Sequence, residues 1–294
     1  MSSNLRTNLV ESLRRDLQQK FDAAVSQIQL SEGAVVALSA GVDSSLVALL
    51  AYKALGDHAV AVTGVSESLP QHELEIAKET AKAIGIKHLV VKTDELQNPD
   101  YASNRADRCY HCKDTLYREL RTVADSLGFE AILDGSQVED LRDDRPGFRA
   151  AEEAGVKSPL LIASFSKSDV RETARVLGLA VWDKPAMPCL SSRIAHGEEV
   201  TTNKLGMIDR AELYIKELTG VRNLRVRYSN ESARIEVAPE ERKVFFDEAV
   251  MDRIDLALKQ IGFLTVTLDL KGYARKERPP VADPLVLPMA SVSQ

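Results

Sequence analysis

The stretch Ala34–Leu55, AVVALSAGVDSSLVALLAYKAL, decides how this chain folds. Its first five residues, Ala34–Leu38, form an apolar run of strand length. Ser39–Ser45 is a turn of small residues around Gly41, and Leu46–Leu55 continues as a helix. At such a junction the first helical N–H groups have no intrahelical partners, and the helix dipole is positive there. Ser39, Gly41, Ser44 and Ser45 keep the approach open and offer hydroxyl donors, so a phosphate suits that end. Asp43 is out of place beside a phosphate unless Mg²⁺ stands between them or its carboxylate caps the helix. A capped helix after a buried strand satisfies the same pattern. Neither G-x-x-x-x-G-K-[ST] nor a G-x-G-x-x-G following a strand is present to separate the two readings.

Working outward, the units repeat. Strand Ala59–Val65, helix Gln71–Ile84, strand His88–Val91, helix Cys112–Leu127 and strand Ala131–Leu133 follow one another, then a polar loop through Gly147. Helix Lys167–Leu177 and an extended piece, Ala180–Trp182, complete this half. The alternation predicts an α/β fold with a parallel sheet covered by helices on both faces. Upstream, Leu9, Val10, Leu13, Leu17, Phe21, Ala24, Val25 and Ile28 recur at helical spacing, predicting one amphipathic helix over Leu5–Ile28. Beyond Pro188 the order changes to helix Asn203–Leu218, a hairpin of Asn223–Ser229 and Ser232–Val237, helix Glu240–Ile261 and strand Phe263–Leu270. That order predicts a smaller α+β domain. Pro185, Pro188 and Gly197 interrupt regular structure between the two, so the expected division is 1–185, 186–272 and an irregular tail over 273–294.

Charge and composition narrow the function. A formal net charge of −6 argues against a broad, non-specific grip on nucleic acid, although a local basic site remains open. Met1–Leu30 has no apolar core of the signal-peptide kind, and no run approaches the roughly 20 apolar residues of a membrane span. The expectation is a cytoplasmic protein with neither nucleic acid nor membrane as partner. Three cysteines cannot all pair with one another, and a reducing compartment favours metal or redox chemistry.

Cys109-Tyr110-His111-Cys112 sets two thiols three residues apart, with Arg105, Arg108 and Lys113 adding positive charge. If Cys112 opens a helix, the N-terminal dipole lowers its pKa. A C-x-x-C pair fits a redox couple, half a zinc site with His111 as a further ligand, two ligands of an iron–sulfur cluster, or two buried structural cysteines. Cys189 stands beside Ser191, Ser192 and Arg193, a setting for a thiolate near an anion and equally for an inert loop cysteine. Three thiolates without a fourth would leave one iron of a cluster open. In the second half, Arg225 and Arg227 alternate along one strand and so share a face, as do Arg234 and Glu236 on the next. An Arg pair on one face suits a phosphate monoester; cross-strand ion pairs are the alternative.

The string Ser39–Ser45 resembles the S-G-G-x-D-S motif of PP-loop ATP pyrophosphatases, departing from it at Ala40. The blocks R-A-D-R-C-Y-H-C-K (Arg105–Lys113), D-G-S-Q-V-E-D (Asp134–Asp140), R-P-G-F-R-A (Arg145–Ala150) and W-D-K-P-A-M-P-C-L-S-S-R (Trp182–Arg193) are similar to the LarE family. Its members are sulfur transferases that make the nickel-pincer nucleotide cofactor. The resemblance implies that Ser39, Ala40, Gly41, Val42, Asp43, Ser44 and Ser45, with Asp134 and Gly135, bind ATP, with Asp43 a candidate Mg²⁺ ligand. It implies cleavage between the α and β phosphates and transfer of AMP to the carboxylates of a pyridinium-3,5-biscarboxylate mononucleotide. Two sulfur sources occur in that family. One is a sacrificial cysteine at the position of Cys189, left as dehydroalanine. The other is a 4Fe–4S cluster on three cysteines, and Cys109, Cys112 and Cys189 resemble that type. Lys113, Arg193, Arg225, Arg227, Glu212 and Glu236 become the substrate and phosphate candidates. A homo-oligomer, and partner proteins that supply sulfur or accept the cofactor, are further expectations. The competing readings are a PP-loop tRNA thiolase, an amidating synthetase using ammonia, and a non-enzymatic ATP-binding regulatory module.

Overall fold

A computed structural model describes residue 10, residues 12–142 and residues 146–273. Helix α1 (Arg15–Ile28) is followed by β1 (Ala34–Ala37), α2 (Val42–Leu55), β2 (Ala59–Val65), α3 (Gln71–Ile84) and β3 (Lys87–Lys92). Next come α4 (Pro99–Ala102), α5 (Arg108–Leu127), β4 (Ala131–Leu133), α6 (Pro146–Glu153), α7 (Pro159–Ile162) and α8 (Lys167–Val176). The four strands form one parallel sheet in the order β3-β2-β1-β4, with Ala34 opposite Ala59 on one side and Ala131 on the other. Successive β1 side chains point to opposite faces. Ala34 and Val36 join a core with α1, α2 and α8, whereas Val35 joins Val60, Val62, Ile132 and the inner face of α5. Burial on both faces is why β1 reads as an unbroken apolar run. Leu46–Ala51 of α2 is buried on every side, and full burial of Leu46 and Leu50 contributes about 1.5–3 kcal/mol each.

The strand order positions the site. From β1 the chain winds outward to β2 and β3, then returns to add β4 on the opposite side of β1. The loops after β1 and β4 therefore diverge from neighbouring strand ends and open a crevice between them. Gly135, after β4, passes so close to the start of α2 that a Cβ there would lie 2.7 Å from the Ser44 backbone nitrogen. Only glycine permits that approach.

The second sheet has the order β5-β6-β7, from β5 (Leu224–Ser229), β6 (Ser232–Val237) and β7 (Thr265–Leu268), with β5 antiparallel and β7 parallel to β6. Asn230 and Glu231, both at positive φ, make the two-residue hairpin turn. Helices α9 (Thr202–Thr219) and α10 (Glu248–Ile261) pack against this sheet over Ile208, Ile215, Val226, Ile235 and Phe263. Among the described residues no helix is long and apolar enough to cross a membrane.

Several expected elements differ. The helix expected over Leu5–Ile28 is interrupted: Val10 is helical, a turn through Ser12 and Leu13 follows, and α1 starts at Arg15, while residues 1–9 and 11 lie outside the described residues. The extended piece expected at Ala180–Trp182 is a turn, closed by Trp182 N donating to Leu179 O at 3.1 Å and Lys184 N to Val181 O at 3.1 Å. The helix expected over Glu240–Ile261 divides into a 3₁₀ segment, Pro239–Phe246, and α10, because the Asp247 side chain caps α10 by accepting from Val250 N. Strand Phe263–Leu270 shortens to β7. The helix expected at Cys112 begins at Arg108, and the tail from 274 onward lies outside the described residues.

Asp169 anchors the N-terminal helix. It caps α8 through a reciprocal box with Ser166 and accepts from Arg14 Nη2 and Lys20 Nζ, both at 2.6 Å. Burial raises its pKa, but the Lys20 and Ser166 hydrogen bonds outweigh that and hold it below the ordinary 3.8. A depressed carboxylate stabilises above its unfolded pKa and loses that contribution as pH falls through the folded value. Asp169→Asn is expected to cost about 1–3 kcal/mol at neutral pH. The gap from wild type should close well below pH 3.8, which urea midpoints at the two pH values would check.

Candidate active site

The loop between β1 and α2 carries an unusual backbone. Ala40 has φ 59°, in the left-handed region, and its side chain is fully buried. Gly41 then caps α2 in an extended conformation without a side-chain cap, so Asp43 does not serve as one. Instead Lys167 Nζ donates to both Asp43 oxygens, at 2.7 and 2.5 Å. Ser44 Oγ accepts from Ser39 N at 3.2 Å and donates to Gly41 O at 3.1 Å, and Ser45 Oγ donates to the same carbonyl at 2.7 Å. The loop is thus closed on itself, with Ser39, Asp43 and Ser44 facing outward into a cavity of about 420 Å³.

Across that cavity stand Asp134 and Gly135 from the β4 loop, and Cys109, Lys113 and Tyr117 from α5. Asp134 is buried and accepts from Ser136 N at 3.1 Å, Ser136 Oγ at 2.8 Å, Ser158 Oγ at 2.6 Å and Tyr117 OH at 3.2 Å. Lys113 Nζ lies 3.7 Å from it. Burial, then the Asp134 charge, pushes the Tyr117 phenol up, so it stays a donor. Lys113 lines the cavity, and Lys167 stands behind its wall on Asp43, so positive charge is gathered where an anionic ligand would need it.

The cysteines occupy adjoining ground. Cys109 is exposed and lines the cavity, whereas Cys112 sits one turn further along α5. The lowered pKa expected for Cys112 is not found, because α5 begins four residues earlier and the thiol is partly buried against the second core. Burial, followed by the nearby Cys189, Glu95 and Cys109, pushes it up. All three cysteines are free. Among the described residues no group of three or more His, Cys, Asp or Glu side chains is arrayed to hold a metal, and His111 faces Asp107 at 3.5 Å.

The Cys189 segment is clasped from two sides. Arg193, with no exposed side-chain surface, pairs with Glu212 through Nε at 2.9 Å and Nη2 at 3.2 Å. Its Nη1 donates to Pro188 O at 2.5 Å and Cys189 O at 3.0 Å. From α5, Arg108 donates to Ser191 O at 3.0 Å and to Asn104 Oδ1. Tyr101 OH joins Ser68 Oγ at 2.6 Å and Ser191 Oγ at 2.5 Å behind the loop.

Arg225 and Arg227, expected on one face of β5, both reach this segment. Arg225 is buried, donates to Ala186 O at 2.5 Å and lies over the Tyr273 ring at 4.9 Å. Arg227 donates to Ser192 O at 2.8 Å and to Glu236 Oε2 at 2.9 Å. Val226 N donates to Glu212 at 3.0 Å, drawing β5, α9 and the loop together. Most of the expected residues fall in two groups, while Ala40, Gly41, Val42, Ser45 and Cys112 are not among the residues lining the cavity. Ser39, Asp43, Ser44, Asp134, Gly135, Cys109 and Lys113 share the cavity. Cys189, Arg193, Glu212, Arg225, Arg227 and Glu236 surround the adjacent loop and are not among the residues lining it. Lys167, Lys184, Glu73 and Tyr101 were missed. Lys184 lies inside the Trp182–Arg193 block, while nothing in the local pattern of Lys167 points to Asp43.

The NAD synthase family profile matches residues 13–110. An uncharacterized Synechocystis sp. protein, slr1717, is 45% identical over 265 residues, covering 90% of this chain and 96% of that one. The pyridinium-3,5-bisthiocarboxylic acid mononucleotide synthase of Lactiplantibacillus plantarum is 36% identical over 258 residues, covering 87% of this chain and 92% of that enzyme. A tRNA-specific 2-thiouridylase, MnmA, from Azorhizobium caulinodans is 32% identical, over 51% of this chain and 48% of its own. A strand–loop–helix unit on a parallel sheet, and a match to the synthase over nearly its whole length, lead to one conclusion: the chain belongs to the LarE family of PP-loop, ATP-dependent sulfurtransferases.

Proposed function

We propose that the protein adenylylates the carboxylates of a pyridinium-3,5-biscarboxylate mononucleotide and converts them to thiocarboxylates. The observation that carries this reading is the shared cavity, where Ser39, Asp43 and Ser44 of the nucleotide loop face Cys109 and Lys113. In this reading residues 1–185 handle ATP and residues 186–272 hold the mononucleotide, with partly exposed Arg227 toward its phosphate and buried Arg225 holding the loop through Ala186 O. The substrate carboxylate attacks the α-phosphorus, the bond to the β-phosphate oxygen breaks, and pyrophosphate leaves. Sulfide then forms a C–S bond to the acyl carbon while AMP departs with the C–O electron pair. Adenylylation is needed because a carboxylate alone has no competent leaving group. Asp43, a hard oxygen donor at the cavity wall, suits Mg²⁺, which neutralises triphosphate charge when bound. Lys113 and Lys167 would balance the remaining charge, and Asp134 fixes the orientation of Tyr117 and Lys113.

For the sulfur source, Cys109, Cys112 and Cys189 fit a 4Fe–4S cluster in donor chemistry: three soft thiols in one neighbourhood, with Cys109 and Cys189 both close enough to act on Cys112. When bound, such a cluster supplies an open iron for an additional sulfide. The second reading takes Cys189 as sacrificial donor, supported by Arg193, which donates to the Cys189 carbonyl and fixes the backbone that carries the thiol. Pyrophosphate release that depends on the biscarboxylate mononucleotide is the expected result. Release from ATP and tRNA instead would favour the thiolase reading, and ATP binding without release would favour a regulatory module. Protein purified without oxygen should carry iron and acid-labile sulfide with a broad visible band. Colourless protein that loses one H₂S in mass per turnover would move the sulfur source to Cys189. Exposed Leu213, Phe246, Met251, Leu256, Leu264 and Leu270 concentrate in the second half and support a homo-oligomer.

A further inference from the structure

Ala40 is held where an L-residue pays for its side chain. Its φ of 59° places Cβ against the following carbonyl, a cost of roughly 1–2 kcal/mol that glycine escapes. Such a residue persists only where its surroundings hold it. Lys184, 144 residues away, supplies the hold: its Nζ donates to Ala40 O at 3.0 Å and to Glu73 Oε2 at 2.6 Å. Both partners of the ammonium are buried, and Lys184 itself is only 14% exposed. Glu73 meets His72 Nε2 at 3.2 Å through its other oxygen. The Lys184 backbone is fixed in turn, since Arg171 donates to Trp182 O at 2.7 Å and to Lys184 O at 2.9 Å.

The direction of the hold matters. The Ala40 carbonyl and the Gly41 N–H belong to one planar trans peptide and point in opposite directions. Drawing the carbonyl toward Lys184 therefore aims the Gly41 N–H away from it. Ser44 and Ser45 hydroxyls pin the next carbonyl, Gly41 O, so both peptides beside Gly41 are oriented.

We propose that Lys184 is a positioning residue for the nucleotide loop: by holding the carbonyl of left-handed Ala40, it orients the Gly41 N–H for phosphate. This rests on the reading of Ser39–Ser45 as the ATP loop. Lys184 touches no reacting atom in this role. Because the hold offsets the cost of a methyl group, removing the methyl should remove the need for it.

Calorimetric titration of the full-length protein with MgATP tests this in wild type, Lys184→Met, Ala40→Gly and the double variant. Lys184→Met should weaken binding about tenfold, the scale of one residue's left-handed cost. Ala40→Gly is the reference for the double variant, which should bind within about threefold of it because the methyl that Lys184 holds in place is gone. A merely structural Lys184 would not be rescued by Ala40→Gly. If Lys184→Met does not fold because Glu73 is left unpaired, the same four-way comparison is made in a Glu73→Gln background. Wild-type affinity in Lys184→Met, or a double variant as weak as Lys184→Met, overturns the proposal. Failure of wild type to bind MgATP at all would instead overturn the ATP reading beneath it.

Discussion

Cys189→Ala is expected to preserve pyrophosphate release while lowering thiocarboxylate formation by about a thousandfold or more. The two steps should separate because the groups proposed to serve them separate in space. In the proposed function adenylylation draws on the loop of Ser39, Asp43 and Ser44, on Lys113 and on the oriented Asp134, and Cys189 is not among the residues lining that cavity. Cys189 instead leads into the 3₁₀ turn Leu190–Arg193, its carbonyl held by Arg193. Both sulfur routes require its thiol, so this variant alone does not divide them. Cys109→Ala and Cys112→Ala do. With a three-thiol cluster each should fall as far as Cys189→Ala and lose the visible band. With a sacrificial Cys189, each should retain one sulfur transfer per chain. Parallel assays of pyrophosphate and thiocarboxylate, the latter by mass spectrometry, would read both steps. Loss of pyrophosphate release in Cys189→Ala would show that the segment also builds the nucleotide site, against the division drawn above.

The second large effect is on stability. Arg193 and Glu212 are both buried, paired through two hydrogen bonds, and surrounded by carbonyls and a backbone N–H that use their remaining capacity. Arg193→Ala would leave Glu212 as an uncompensated buried charge and free the Pro188 and Cys189 carbonyls. The expected cost is about 3–5 kcal/mol. Desolvation makes a buried pair expensive to break but not to replace, so Arg193→Met with Glu212→Leu should be less destabilised than either single variant. Urea denaturation of the three proteins would measure this. A loss below about 1 kcal/mol in Arg193→Ala would mean that the pair is solvated as a surface pair is. The double variant is nonetheless expected to be inactive, since the Cys189 segment would have lost its hold.

What the sequence by itself determined is the local order and the chemistry of each block. The Ala34–Leu55 pattern contains a strand, a small-residue turn and a helix because those preferences are set within a few residues. The hairpin at Asn230 follows for the same reason, and the motif strings pointed to the LarE family. Signals of only short range were also where the reading slipped. The helix of the cysteine pair begins at Arg108, so Cys112 gains burial instead of a helix N-terminus. Asp247 divides what reads as one helix. Tertiary structure decided the rest. The strand order brings Asp134 and Gly135 beside the loop. Helix docking brings Lys167 to Asp43 across 124 residues and Lys184 to Ala40 across 144. Arg193, read as a charge free to meet substrate, is buried against Glu212. An isolated Lys or Arg carries no periodicity, and its partner is chosen only when packing removes both from water.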